Sequence, residues 1–147
     1  MLSDFFDTNR IKLELKSSTK DGVLEELVEI ITGSCSEYNK QELLEAITSR
    51  EEKMTTIIMP GIAVPHGYCN NVRGIIGGIG FSREGIEFDN NDKSLVHLFF
   101  ILVMDESSRE LNLKVFTRIL EMLKSASLDQ ISGMTSSREL YDLLCRF

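Results

Sequence analysis

A chain of 147 residues, 42% hydrophobic and 27% charged, is long enough to bury a substantial core and too apolar to be a disordered tail. Its net charge of −7 at pH 7 argues against a nucleic-acid surface, which needs a basic patch, and suits a basic or small cationic partner surface. No apolar run is long enough to span a membrane, and Met1 to Asp7 has neither the basic start nor the long apolar stretch of a signal peptide, so a cytoplasmic protein without direct membrane insertion is expected.

Ile11, Leu13 and Leu15 alternate with Lys12, Glu14 and Lys16, the period of a half-buried strand. Val23, Leu24, Leu27, Val28, Ile30 and Ile31 then recur at helical spacing, with Gly33 as the expected stop. Asn39-Lys40-Gln41-Glu42 resembles a capping box opening a second helix, whose stripe of Leu43, Leu44 and Ile47 extends to Arg50, Glu51 and Met54. Val72 to Phe81 reads as a glycine-interleaved strand, Ser82 to Gly85 as a turn, and Ile86 and Phe88 as a further short strand. Leu95 to Met104 is nearly unbroken in branched and aromatic residues, which predicts a central strand covered on both faces, with His97 inside it as a satisfied core or rim residue. In the long helix that follows, Asn112, Val115, Phe116, Ile119, Leu120 and Leu123 define one inner face. Capping patterns at Ser127–Gln130 and Ser136–Glu139 open two more helices, the last burying Leu140, Leu143, Leu144 and Phe147. Without linker, repeat or low-complexity tract, residues 1–147 are expected to form a single α/β domain.

The chemistry concentrates at Gly61-Ile62-Ala63-Val64-Pro65-His66-Gly67. Pro65 biases Val64 toward extended geometry, and Gly67 permits a sharp change of direction after the imidazole. A histidine at such a corner suits proton or phosphoryl transfer. Pro-His-Gly also occurs in plain turns, where the histidine bonds to nearby backbone, and on local sequence the two readings stand side by side. Arg50, at the last turn of its helix, either meets an anion or lies over the helix's own carbonyls or a nearby carboxylate. Asn112 in the first turn of the long helix is either part of an anion site or a local polar contact. His66 and Cys69 form an H-x-x-C pair, but no second cluster completes a zinc site, and Gly74 to Gly80 lack the Gly-Lys-Ser/Thr of a phosphate loop. No metal or cofactor is expected, and the three cysteines are expected to be reduced thiols.

Ala46 to Thr56, followed by Gly61 to Gly67, resembles the enzyme IIA domains of the bacterial sugar phosphotransferase system, in the mannitol/fructose and nitrogen-regulatory branch. Gly85-Ile86-Glu87-Phe88, Val96 to Phe100 and a long helix from near Leu111 follow in the family's order. The resemblance implies a mixed β-sheet sandwiched by α-helices. It implies phosphorylation of His66 by the phosphocarrier HPr or its nitrogen-branch paralogue, and transfer to an enzyme IIB or signalling through regulatory target proteins. By position, Arg50 would stabilise phosphoryl charge and Thr56 would donate a hydroxyl hydrogen bond. Two departures stand out: Asn112-Leu113 where family members usually have a histidine followed by leucine, and Thr56-Ile57-Ile58-Met59-Pro60-Gly61 where a glycine-rich loop is usual. A phosphocarrier used in sugar uptake or, more in keeping with a stand-alone chain, in nitrogen or metabolic regulation is the expected function. The competing expectation is a protein-interaction module with the same fold and weakened or lost phosphorylation.

Asparagine can donate a hydrogen bond to a phosphoryl oxygen but cannot carry positive charge or relay a proton. Transfer is therefore expected to be slower, not absent, and Asn112→His to accelerate it; equal rates in rapid-quench measurements would sink this expectation.

Overall fold

A computed structural model describes all 147 residues. The chain opens with two 3-10 turns, Leu2–Asp4 and Thr8–Arg10, before strand β1 (Ile11–Lys12). Helices α1 (Lys20–Ser34) and α2 (Lys40–Lys53) follow, then three short strands, β2 (Ile57–Met59), β3 (Ile62–Ala63) and β4 (His66–Tyr68). Two long strands, β5 (Ile75–Asp89) and β6 (Asp92–Met104), lead through a 3-10 turn at Glu106–Ser108 to α3 (Arg109–Ser125), α4 (Leu128–Ser132) and α5 (Ser137–Leu144).

The sheet is mixed, in the order β1-β5-β6-β3-β2, with β4 also paired to β6. β5 and β6 are antiparallel neighbours, while β1 runs parallel to β5 and both β3 and β4 run parallel to β6. Strict alternation along β6 builds two cores. Leu98, Phe100, Leu102 and Met104 pack with Val115, Ile119 and Met122 of α3 and Leu140 and Leu144 of α5. Phe99, Ile101 and Val103 pack on the other side with Leu24, Leu27 and Ile31 of α1 and Leu43 and Ile47 of α2. The expected central strand and the sandwich around it are therefore present.

Side-chain caps set the helix starts. Thr19 accepts the Gly22 N–H, Asn39 that of Glu42, Ser127 that of Gln130 and Ser136 that of Glu139. Helix α1 runs one residue past Gly33, so that glycine lies in the last turn and does not stop it.

Three expectations need correction. The strand foreseen over Ile11–Lys16 pairs only at Ile11 and Lys12. Beyond these the Leu15 N–H still donates to the Phe81 carbonyl of β5 at 2.8 Å, after which the Glu26 carboxylate takes the N–H groups of Lys16 and Ser17 at 3.0 and 2.9 Å. The turn foreseen at Ser82–Gly85 is a bulge within one long strand, where four residues of β5 lie opposite His97 between the pairs Phe81↔Leu98 and Ile86↔Val96. Gly85, at φ 81°, adopts the left-handed geometry this needs, and His97 Nδ1–H donates to the Ser82 carbonyl at 2.8 Å across the bulge. Finally, Met54 and Leu120 sit outside the stripes assigned to them, at 65% and 39% exposure, because α2 has ended at Lys53 and Met122 fills the α3 core face instead.

Gly67 faces α2 at a distance that excludes a side chain. A Cβ there would lie 2.9 Å from the Ala46 carbonyl carbon and 3.0 Å from its oxygen. Gly67→Ala is expected to cost about 1–3 kcal/mol as β4 and α2 are forced apart, read as a lower urea midpoint. An unchanged midpoint would mean that α2 yields freely.

Candidate functional site at His66

β3 and β4 follow one line along β6. The pairs Ile62↔Leu98, Ala63↔Phe99, His66↔Leu102, Gly67↔Val103 and Tyr68↔Met104 share a single offset, and Val64-Pro65 interrupts the chain without changing it. Proline has no N–H to give a ladder, but its carbonyl still accepts the Leu102 N–H at 3.0 Å. Val64 turns its N–H to the Thr56 carbonyl at 2.9 Å, and its own carbonyl accepts His66 Nδ1–H at 2.9 Å.

That last bond fixes the ring chemistry. A carbonyl oxygen can only accept, so Nδ1 carries the proton and Nε2 keeps its lone pair without a protein partner. Because Gly67 faces α2, the alternation of β4 directs His66 and Tyr68 to the α3 side. There Phe116 meets the imidazole edge to face, with ring centroids 5.3 Å apart and planes at 82°. Arg109, the first residue of α3, lies over the Tyr68 ring at 4.6 Å and is bound to the Glu106 carboxylate at 2.9 and 2.7 Å.

Burial is the main influence lowering the His66 pKa below its ordinary 6.5, and the positive charge of Arg50 acts in the same direction. The bond to Val64 and the charge of Glu51 oppose it. The result is a ring held neutral, as a nitrogen nucleophile must be.

The other sequence-predicted residues take distinct places. Arg50 donates to the Met54 carbonyl at 2.8 Å, lying over the end of its own helix, while its charge reaches His66. Thr56 is buried, and its hydroxyl donates to Glu51 Oε2 at 2.6 Å and so is already engaged within the protein. Asn112 is buried at 7% exposure, one turn before Phe116 on the same stripe of α3, and its Oδ1 is sealed without a donor. His97 lies away from this cluster, stacked on Phe81 and tied to the β5 bulge. Glu51, Phe116 and the Val64 carbonyl had not been assigned to the site. Glu51 was legible as a carboxylate four residues beyond Ile47 on a buried stripe; Phe116 read only as core.

A mixed sheet covered by helices on both faces, with a half-buried histidine where a strand breaks at the sheet's edge, defines an α/β sandwich with a one-histidine surface site. Residues 4–146 match the family described as phosphoenolpyruvate-dependent sugar phosphotransferase system, EIIA 2, and the chain belongs to that family. Among similar proteins, a nitrogen regulatory protein of Pseudomonas aeruginosa is 24% identical over 144 residues, covering 97% of this chain and 94% of that protein. A fructose-specific EIIABC component of Bacillus subtilis is 27% identical over 122 residues, but this chain spans only 19% of its length. The nitrogen regulatory protein IIA-Ntr of Neisseria meningitidis superposes with a TM-score of 0.87 at 24% identity, covering 97% of this chain and 98% of that one. The IIA mannitol protein of Escherichia coli superposes at 0.77 and 23% identity, over 94% and 97%. No helix is long and apolar enough to cross a membrane.

Above the ordinary imidazole range the ring is neutral in both folded and unfolded chains; as pH falls through it, the unfolded chain takes up the proton first, and stability is lost. Between about pH 7 and about pH 5 the urea midpoint of the parent is expected to fall more than that of His66→Gln. Parallel curves would contradict the lowered pKa.

Proposed function

We propose that His66 is a phosphoryl carrier, accepting the group on Nε2 from a phosphohistidine donor such as HPr or its nitrogen-branch paralogue. The observation that carries this reading is the Nδ1–H bond to Val64, which leaves a neutral ring with one available lone pair. Nε2 attacks phosphorus in line, the donor's nitrogen–phosphorus bond breaks, and the donor imidazole leaves with that electron pair. The Val64 carbonyl then supports the positive charge that the ring acquires while Nδ1 keeps its proton. Catalysis of this kind depends on positioning and on compensating oxygen charge. Arg50 supplies the nearby positive field, and since only its Nη1 is engaged, with the Met54 carbonyl, other guanidinium donors remain for a phosphoryl oxygen. The start of α3 contributes its N-terminal dipole, and the Asn112 side-chain amide a neutral donor in place of an imidazole. Thr56 acts from behind, through the Val64 N–H that its carbonyl accepts, because its hydroxyl is already held by Glu51.

Downstream, the group passes to an enzyme IIB, or its presence is read by a regulatory target. A solved complex of the E. coli mannitol IIA with phosphorylated IIB, superposing at a TM-score of 0.80, supports the first route; nitrogen regulatory relatives matched over nearly their whole length support the second, toward which we lean. The engaged Thr56 hydroxyl and the uncharged Asn112 favour a second reading, an interaction module with little or no phosphorylation.

Incubation with phosphoenolpyruvate, enzyme I and HPr, followed by intact-mass spectrometry at alkaline pH, is expected to add one phosphoryl group that His66→Ala lacks. No adduct with HPr or its nitrogen-branch paralogue would replace the carrier reading with the interaction module.

A further inference from the structure

The Glu51 carboxylate is among the most enclosed charged groups in the molecule, with 1% of its side chain exposed. Burying a carboxylate costs several kcal/mol unless its oxygens are well partnered. Its only cation, Lys20 Nζ, stands 4.0 Å from Oε1, beyond hydrogen-bond range, and is also drawn over the Phe88 ring. Both oxygens instead accept from one residue: Oε1 from the Thr56 N–H at 3.1 Å and Oε2 from the Thr56 hydroxyl at 2.6 Å. Thr56 then accepts the Val64 N–H at 2.9 Å, and Val64 accepts His66 Nδ1–H at 2.9 Å. A continuous line of contacts runs from a buried negative charge to the imidazole.

We propose that Glu51 is a positioning residue for His66: through Thr56 and Val64 it fixes the tautomer that leaves Nε2 free, and its charge offsets the positive charge gained by the phosphorylated ring. The second half rests on the phosphocarrier reading; the first does not. The N–H and C=O of Val64 belong to different peptide groups, so the coupling is geometric rather than conjugative. Glu51 clamps Thr56, Thr56 anchors the Val64 N–H, and the Val64 carbonyl is thereby aimed at Nδ1 across the Pro65 break. A misaimed carbonyl would let the proton move to Nε2 and block the nucleophile. The charge acts directly as well, since Glu51 favours the protonated ring while Arg50 on the same helix disfavours it; Phe116, packed against the ring from α3, is uncharged.

The test is nitrogen-15 NMR of the His66 ring through a pH titration, with transfer rates alongside. The parent is expected to show a protonated Nδ1 and a free Nε2. Glu51→Gln is expected to mix the two tautomers, move the protonation midpoint further down and slow phosphoryl transfer by about tenfold, the lower end of what losing a group behind a metal-bound histidine costs. A folded Glu51→Gln protein with the parent's tautomer ratio and midpoint would overturn the proposal, because a merely structural carboxylate would move neither. Should Glu51→Gln fail to fold, Thr56→Val removes only the hydroxyl donor and Thr56→Ser restores it. Tautomer mixing in the first that is reversed in the second upholds the line, and identical ratios in both overturn it. If the parent takes up no phosphoryl group, the carrier reading fails, while the tautomer and midpoint still decide the positioning role.

Discussion

Burial of β6 on both faces is the constraint from which the molecule is built. Phe99, Phe100 and their neighbours from Leu98 to Met104 are wholly enclosed, and each large side chain contributes about 1.5–3 kcal/mol by leaving water. A strand covered twice has no freedom of register, since a shift of one residue would exchange the two cores. β5 is therefore fixed on one edge, and β3 and β4 on the other. The position of His66 follows from this register and not from the loop chemistry of Pro-His-Gly alone.

The break at Val64-Pro65 gives that rigid edge its candidate site. An uninterrupted strand would spend its carbonyls on the ladder, whereas here Pro65 supplies the bond to Leu102 and Val64 is released to face its own neighbours. The released carbonyl holds the imidazole, and α2 brings Arg50 and Glu51 to its flank with opposite effects on its charge. Phe116 closes the α3 side. Burial outweighs the bond to Val64, so the ring stays neutral even though a carboxylate lies near.

Much of this was legible in the chain. The helical stripes, the caps at Asn39, Ser127 and Ser136, the central strand from Leu95 and the inward position of Asn112 follow from periodicity and local hydrogen-bond logic. The bulge opposite His97 was not legible, because Ser-Arg-Glu-Gly carries the composition of a turn and only pairing with β6 decides between turn and bulge. Nor was the fate of Ile11–Lys16, where the Lys16 N–H goes to a carboxylate of α1 10 residues further along the chain. Residue types and spacing singled out His66, Arg50 and Asn112 as candidates, but gave no sign that the Thr56 hydroxyl would face Glu51 rather than solvent. That depended on a contact between a helix end and a strand start, which no periodicity encodes.

Asn112 leaves the resting molecule with one debt. A buried acceptor without a donor costs about 1–3 kcal/mol relative to the same atom hydrogen-bonded. Because the atom is enclosed, the folded chain itself carries that cost, on the inner face of the helix whose Phe116 meets the His66 ring.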